Sequence, residues 1–184
     1  MDNGASSYRR YRDGDENGFV EIVRDYKDGL ILYLDSFVKN VAVAEDLAED
    51  TFVKLGIKKP RFSGRSSFRT WLYAIGRNVA LDHLRKQARH PDISLEQCGE
   101  IVGTELPENT YLREERKIAV HRAMRELKTE YRQVLWLAYF EGFSAKEAAQ
   151  IMGKSMHNIE TLTYRARQAL KAELVKEGYD SENL

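Results

Sequence analysis

Apolar residues recur along most of this chain at intervals of three and four, the spacing that lines one side of an α-helix. Asp15 precedes a stretch in which Phe19, Ile22, Val23 and Tyr26 share a face, and its carboxylate suits a helix N-cap. Gly29 is expected to interrupt there, after which Leu30, Ile31, Leu34, Phe37 and Val38 resume the pattern. A third helix is predicted over 42–55, with Leu47, Phe52 and Leu55 apolar and Glu45, Asp46, Glu49 and Asp50 acidic. GIKKPRFSGRSS cannot continue it, because Pro60 and Gly64 break the helix and Ser66 or Ser67 can cap the next. From Phe68 to Arg89, the residues Phe68, Leu72, Ile75 and Val79 step by four, three and four, one buried stripe on a long helix.

Residues 91–112 hold two prolines, two glycines and five acids without periodicity and read as a flexible linker. Helices resume near Tyr111 and run to Leu127. Thr129 can cap another that carries Val134, Leu135, Leu137 and Phe140 and ends near Gly142. No stretch shows β-type alternation. The expected fold is all-α: two small helical domains, 8–90 and 113–178, joined by the linker 91–112, the second ending in a helix-turn-helix.

That motif is the most specific local signal. In FSAKEAAQIMGKSMHNIETLTYRARQALK, Ser144 with Glu147 three residues later forms a capping box. Ala148, Ala149, Ile151 and Met152 offer a small face for close packing, Gly153 suits a left-handed turn, and Ser155 can cap a second helix that buries Ile159, Ala166 and Leu170. In such a motif the start of the second helix points at base edges in the major groove. Met156, His157, Asn158, Glu160 and Thr161 occupy those positions. Asn pairs with adenine, Glu accepts from cytosine and an apolar tip meets a thymine methyl. Lys154, Arg165, Arg167 and Lys171 are placed for phosphates. The plainer alternative is an ordinary helical hairpin.

Charge adds a second signal. Basic and acidic residues balance at 29 each, but they are segregated. Residues 58–90 carry 9 basic side chains and 1 acidic, whereas 91–112 carry 5 acids and no Lys or Arg. The basic block suits a polyanion or a solvated helix face. Other classes fall away. No stretch approaches the roughly 20 apolar residues of a membrane span, and MDNGASSYRRYRDGDENG lacks the apolar segment of a signal peptide. Cys98 has no second cysteine to pair with, and His83, His90, His121 and His157 lack ligand spacing. No nucleophile–base set, phosphate loop or metal motif is present. A cytoplasmic, metal-free protein without cofactor or enzymatic activity is expected.

The run VAEDLAEDTFVKL, then FSGRSSFRTWLYAIGRNVALDHLRKQAR, then the helix-turn-helix closely resemble bacterial RNA polymerase sigma factors of the extracytoplasmic-function type, in the family's order and over nearly the whole chain. The resemblance implies that the helix with Asp46, Glu49, Asp50, Phe52 and Leu55 docks on the β′ clamp helices of core polymerase. It implies contact of the chain with the β flap and reading of a −35 element by the C-terminal motif, through Lys154, Ser155, Met156, His157, Asn158, Glu160, Thr161, Arg165 and Arg167. The loop Arg61, Phe62, Ser63, Gly64, Arg65 and Ser66 would capture an unstacked base of the −10 element. Arg69, Arg77, Asn78, Arg85 and Lys86 would contact the melted DNA, and Trp71 and Tyr73 are stacking candidates, although Trp71, beside the buried stripe at Leu72, is more often a core residue. Asp82 is expected to orient a neighbouring arginine. The resemblance also raises an anti-sigma factor as partner, which no residue pattern here marks. The chain departs from the family's pattern at Glu160, where a basic residue is common, and at Leu162–Thr163, where a basic residue followed by Leu is usual. A self-sufficient repressor is the rival reading, but it needs a dimer face, and no heptad repeat is visible.

Overall fold

The computed structural model describes residues 3–89 and 108–179, and every regular element among them is helical. Glu16–Val38, α2, is the pillar of the fold. Asp15 caps it as expected, accepting from the Asn17 amide at 3.0 Å. Ile22, Leu30, Ile31, Tyr33, Leu34 and Phe37 bury its inner side. Gly29 does not interrupt the helix. It provides space, because a Cβ there would lie 2.6 Å from the Tyr73 hydroxyl and 3.0 Å from the Glu141 carboxylate. Packing from distant segments overrides the glycine's weak helix propensity.

Ahead of it, α1 (Asn3–Arg12) has no counterpart among the predicted elements, since NGASSYRRYR carries no apolar stripe. Its two tyrosines attach it. Tyr8 is buried and donates to the Pro60 carbonyl at 2.6 Å, and Tyr11 donates to the Gly56 carbonyl at 2.9 Å. Burial raises the Tyr8 phenol to about 12, so it remains a donor at ordinary pH. α3 (Val41–Lys58) is capped by Asn40, and α4 (Phe68–Arg89) by Ser67, whose Oγ accepts from the Thr70 amide at 3.1 Å. Phe68, Leu72, Tyr73 and Val79 face the core, while Ile75 is only half-buried.

In the second half, α5 (Glu108–Glu126) begins inside the stretch read as linker, so residues 108–112 are helical. Residues 91–107 lie outside the described residues. Thr129 is the first residue of α6 (Thr129–Leu135) rather than its cap, and its Oγ1 accepts from Arg132 Nη2 at 3.1 Å. A π-helical segment, Trp136–Phe140, extends α6, with the Glu141 amide donating to the Trp136 carbonyl at 3.0 Å. α7 (Ala145–Met152) and α8 (Met156–Lys176) complete the chain.

The two helical modules are not separate bundles. Buried residues of both form one contiguous core, with α4 against α7 and α2 against α6. Phe143 packs edge-on to Tyr73 with ring centroids 5.0 Å apart. Two guanidinium groups from the second module cover the C-terminal end of α2. Arg132 Nε donates to the Ser36 carbonyl at 2.8 Å and Arg125 Nη2 to the Lys39 carbonyl at 2.5 Å. Cations belong there, where the last helical carbonyls lack intrahelical partners and carry partial negative charge.

The crossing of α1 on α2 depends on Gly18, where a Cβ would fall 2.2 Å from the Ser7 carbonyl oxygen. Gly18→Ala improves helix propensity yet overpacks this crossing, so a loss of about 1–3 kcal/mol is expected. Urea melts followed by circular dichroism check this.

Candidate nucleic-acid interface

The helix-turn-helix forms as its sequence requires. The Ser144 Oγ accepts from the Glu147 amide at 3.3 Å, while the Glu147 carboxylate accepts from the Ser144 amide at 3.0 Å, closing the capping box. Gly153 turns the chain at φ 63°, where a side chain would be strained. Ser155 caps α8 by accepting from the Asn158 amide at 3.2 Å. Ile159 and Ala166 hold α8 in the core, Leu174 packs in a smaller cluster with Ala119 and Ala123, and Leu170 is half-buried.

The opposite face of α8 is open. Met156, His157, Asn158, Glu160, Arg165 and Arg167 are exposed, Ser155 sits beside them, and Thr161 is half-buried. Lys154 differs: it is half-buried and paired at 3.0 Å with the exposed Glu130, which competes with a phosphate for it. Thr163 does not enter the core as Leu would. It is half-buried, and its Oγ1 donates to the Ile159 carbonyl at 2.8 Å. Sequence reasoning missed Tyr164, 64% exposed on this face. Its signal was an aromatic out of phase with the buried stripe.

In the basic segment, Arg61, Ser63, Gly64 and Arg65 are exposed, and Gly64 adopts φ 70°. Ser66 is half-buried. Phe62 is also half-buried and anchors the loop in an aromatic cluster, with its ring centroid 5.2 Å from Trp71 and 5.7 Å from Phe68. Trp71 packs on Tyr8 as well, at 5.4 Å. On α4, Asn78 and Arg85 are seven residues apart and both exposed, as is Lys86. Asp82 pairs with Arg85 at 3.0 Å. Arg69 and Arg77 do not join this surface. Arg77 is half-buried, its Nε has no hydrogen-bond partner, and its charge faces Tyr33. Tyr73 is buried, which corrects its reading as a base-stacking residue.

Arg69 is held by the second module. Its guanidinium pairs with the Glu141 carboxylate, donates to the Glu141 carbonyl at 2.8 Å and lies 4.3 Å from the Phe143 ring centroid. The same carboxylate accepts from the Tyr73 hydroxyl at 2.8 Å and Trp136 Nε1 at 3.3 Å. Burial, and next the charge of Glu141, push the Tyr73 phenol far above its ordinary range, so it stays a donor.

On α3, Asp46, Glu49 and Asp50 are exposed with Glu45. Phe52 and Leu55 are not surface anchors: they are 6% and 0% exposed, packed in the core. Helical geometry puts them in phase with Ala44, Leu47, Ala48 and Thr51, which are all buried. The exposed apolar residues in line with Asp46, Glu49 and Asp50 on α3 are instead Val53 and Ile57, the latter 79% exposed.

An acidic helix, a basic loop and helix, and an open helix-turn-helix are thus on one chain in that order. Family models of Sigma-70 region 2 and Sigma-70 region 4 match residues 22–90 and 117–170. The RNA polymerase sigma-H factor of Pseudomonas aeruginosa is 31% identical over 170 residues, covering 88% of each chain. The chain belongs to the extracytoplasmic-function sigma factors of the sigma-70 family. A second relative, the extracytoplasmic-function factor SigM of Bacillus subtilis, is 31% identical over 162 residues, which cover 88% of this chain and 98% of that one. Among solved structures, the sigma factor RpoE of Bartonella quintana, in complex with the anti-sigma factor NepR, aligns with a TM-score of 0.69 and 25% identity over 86% of this chain and 96% of that one. CnrH, in complex with the cytosolic domain of CnrY, shares the fold at a TM-score of 0.63 and 24% identity, over 95% of this chain and 96% of that one. Sigma factors direct RNA polymerase to promoters and are not enzymes, and this chain has that function. No helix among the described residues is long and apolar enough to cross a membrane.

The capping box makes the helix-turn-helix acid-sensitive. The Ser144 hydroxyl holds the Glu147 carboxyl below its ordinary range, against a weaker opposing push from burial. A carboxyl lowered on folding contributes stability above its unfolded value and loses that contribution as pH falls through its folded one. Glu147→Gln is therefore expected to flatten the acid limb of the stability profile between about pH 3 and 5. Ser144→Ala should lose about 0.5–2 kcal/mol at neutral pH. Thermal melts across that range test both.

Proposed function

We propose that this sigma factor divides its work between residues 8–90, which bind core polymerase and read and melt the −10 element, and residues 113–178, which read the −35 element. The observation that carries the reading is the exposed start of α8, where Met156, His157, Asn158 and Glu160 stand clear of the core behind the Gly153 turn. Side chains there meet base edges in the major groove, and Arg165 and Arg167 meet phosphates. Asp46, Glu49 and Asp50, with Val53 and Ile57 in place of Phe52 and Leu55, face the β′ clamp helices. The second module engages the β flap. Arg61, Ser63, Gly64 and Arg65 capture an unstacked −10 base, while Asn78, Arg85 and Lys86 follow the melted strand. Binding of single-stranded DNA offsets an unstacking cost of a few kcal/mol, so no ATP is consumed.

The acidic stretch 91–112 threads toward the polymerase active-site channel. The protein acts in the cytoplasm, and an anti-sigma factor restrains it, as NepR is bound to the sigma factor RpoE. Lys154 contributes to phosphate binding only after leaving Glu130.

Run-off transcription with core polymerase and a randomised promoter library tests the whole reading. Transcripts should appear only with both components and should share two sequence elements. Arg165→Ala with Arg167→Ala should weaken binding to every −35 sequence and lower the salt slope by about 2. An unchanged slope removes both from the phosphate contacts. Asp46→Lys with Asp50→Lys should abolish capture of core polymerase while leaving the melting temperature unchanged.

A further inference from the structure

α1 lies outside the elements assigned to polymerase or DNA, yet it is fastened to the loop that captures the −10 base. Tyr8 and Tyr11 donate to the Pro60 and Gly56 carbonyls, on the segment that leads into that loop. At the other end of α1, a Cβ on Gly4 would meet the Phe68 ring at 2.5 Å. α1 therefore abuts the first turn of α4. Arg85 lies about 26 Å from Phe68 along that helix, at 1.5 Å per residue. A strand that passes Arg85 and Asn78 to reach the loop next meets α1.

The charges there are sorted. Neither residues 3–12 nor residues 58–65 hold an acid. Arg10 is taken up by Asp15 and Glu21. Arg9 and Arg12, three residues apart and so neighbours on the helix surface, are exposed and enter no ion pair among the described residues. Burial raises the Tyr8 phenol and the charge of Arg12 draws it back, so Arg12 stands within electrostatic reach of the group that holds Pro60. Lys58, Lys59 and Arg61 are exposed on the segment bonded to α1, and they too enter no ion pair among the described residues. Lys59 closes α3 at φ 40°, where glycine is the usual residue, and its ammonium lies 4.3 Å from the Tyr11 ring centroid. Its cation is thereby turned toward α1.

We propose that α1 and residues 58–61 form a second strand-binding surface, on which Arg9, Arg12, Lys58 and Lys59 hold phosphates of the non-template DNA immediately downstream of the captured base. Cations gathered without acids attract a polyanion. Tyr8 is buried and Tyr11 half-buried under the Lys59 ammonium, so bases find no stacking platform there and the contact is indifferent to sequence. Its effect is to lengthen the melted segment held on the protein and to oppose re-pairing of the opened strand. The proposal rests on the −10 assignment above for the path of the strand, but not for the existence of the surface.

The test uses holoenzyme assembled from core polymerase and the full chain, with two fluorescent non-template oligonucleotides taken from a promoter recovered by the run-off library. The short one ends at the −10 element, and the long one continues about eight nucleotides downstream. Arg9→Ala with Arg12→Ala should weaken binding of the long probe about tenfold and leave the short probe unchanged. Its salt slope on the long probe should fall by about 1.4, the value for two single-strand phosphate contacts. Arg10→Ala removes the same charge from the same helix and should leave both probes within about twofold of the parent. Arg9→Lys with Arg12→Lys should keep the parent affinity, because a phosphate contact of this kind needs charge rather than a fork. Circular dichroism checks folding. If the double alanine variant loses helical signal, Lys58→Ala with Lys59→Gly, which suits the backbone angle at 59, carries the same test. Parent-like affinity and slope on the long probe in a folded variant overturn the surface, and so does an equal loss on both probes. Arg65→Ala reports on the −10 assignment separately. If it leaves both probes unchanged while the α1 variant loses the long one, the −10 loop assignment falls and the surface stands.

Discussion

A carboxylate taken out of water must be surrounded by donors, and the two halves of this sigma factor meet around such a group. Glu141 is acceptable in a seam otherwise lined by Phe143, Trp136 and the α2–α4 core because a guanidinium, a phenol and an indole all aim at it. Each donor in turn has its place fixed by something else: Tyr73 by burial on α4, Trp136 by the π-helical segment, Arg69 by the Phe143 ring beneath it. Remove the donors and the apolar surfaces still match, but an unpaired charge would stand between them. The second contact, Arg125 and Arg132 on the end of α2, obeys the same rule with signs reversed. Here the guanidinium groups supply donors to carbonyls that their own helix cannot satisfy.

The helix-turn-helix was legible because its determinants are local. Ser144, Glu147, Gly153 and Ser155 act within four residues of one another or at a single backbone angle, so their spacing alone specifies the geometry. The stripe of α4 was readable for the same reason. What escaped depends on residues far apart in sequence. Gly29 looks like a breaker until Tyr73 and Glu141 are brought to it. α1 carries too few apolar residues to announce itself, and its tyrosines act through carbonyls at Gly56 and Pro60. Phe52 and Leu55 were assigned outward because apolar residues beside acids resemble an anchor. Their phase with Leu47, Ala48 and Thr51 puts them inside, and the out-of-phase Val53 and Ile57 are exposed beside the acids.

Several of the charges that would meet DNA or polymerase already have internal partners. Lys154 is bound to Glu130, Arg85 to Asp82 and Arg69 to Glu141. At these three positions association is an exchange of partners. That exchange limits non-specific attraction to nucleic acid in a chain whose charges already balance overall.

The π-helical segment has a consequence for how this family can vary. Its wider ring accommodates one residue more than an ordinary turn, and that extra residue sets the angle at which Glu141 leaves the helix. Loss of any one position between Trp136 and Phe140 would leave α6 intact and rotate the following side chain by about 100°. The carboxylate would then point away from α4 although every residue that now contacts it was still present. Coupling between the halves is thus encoded in the count of residues as much as in their identity, and a single codon deletion could uncouple them.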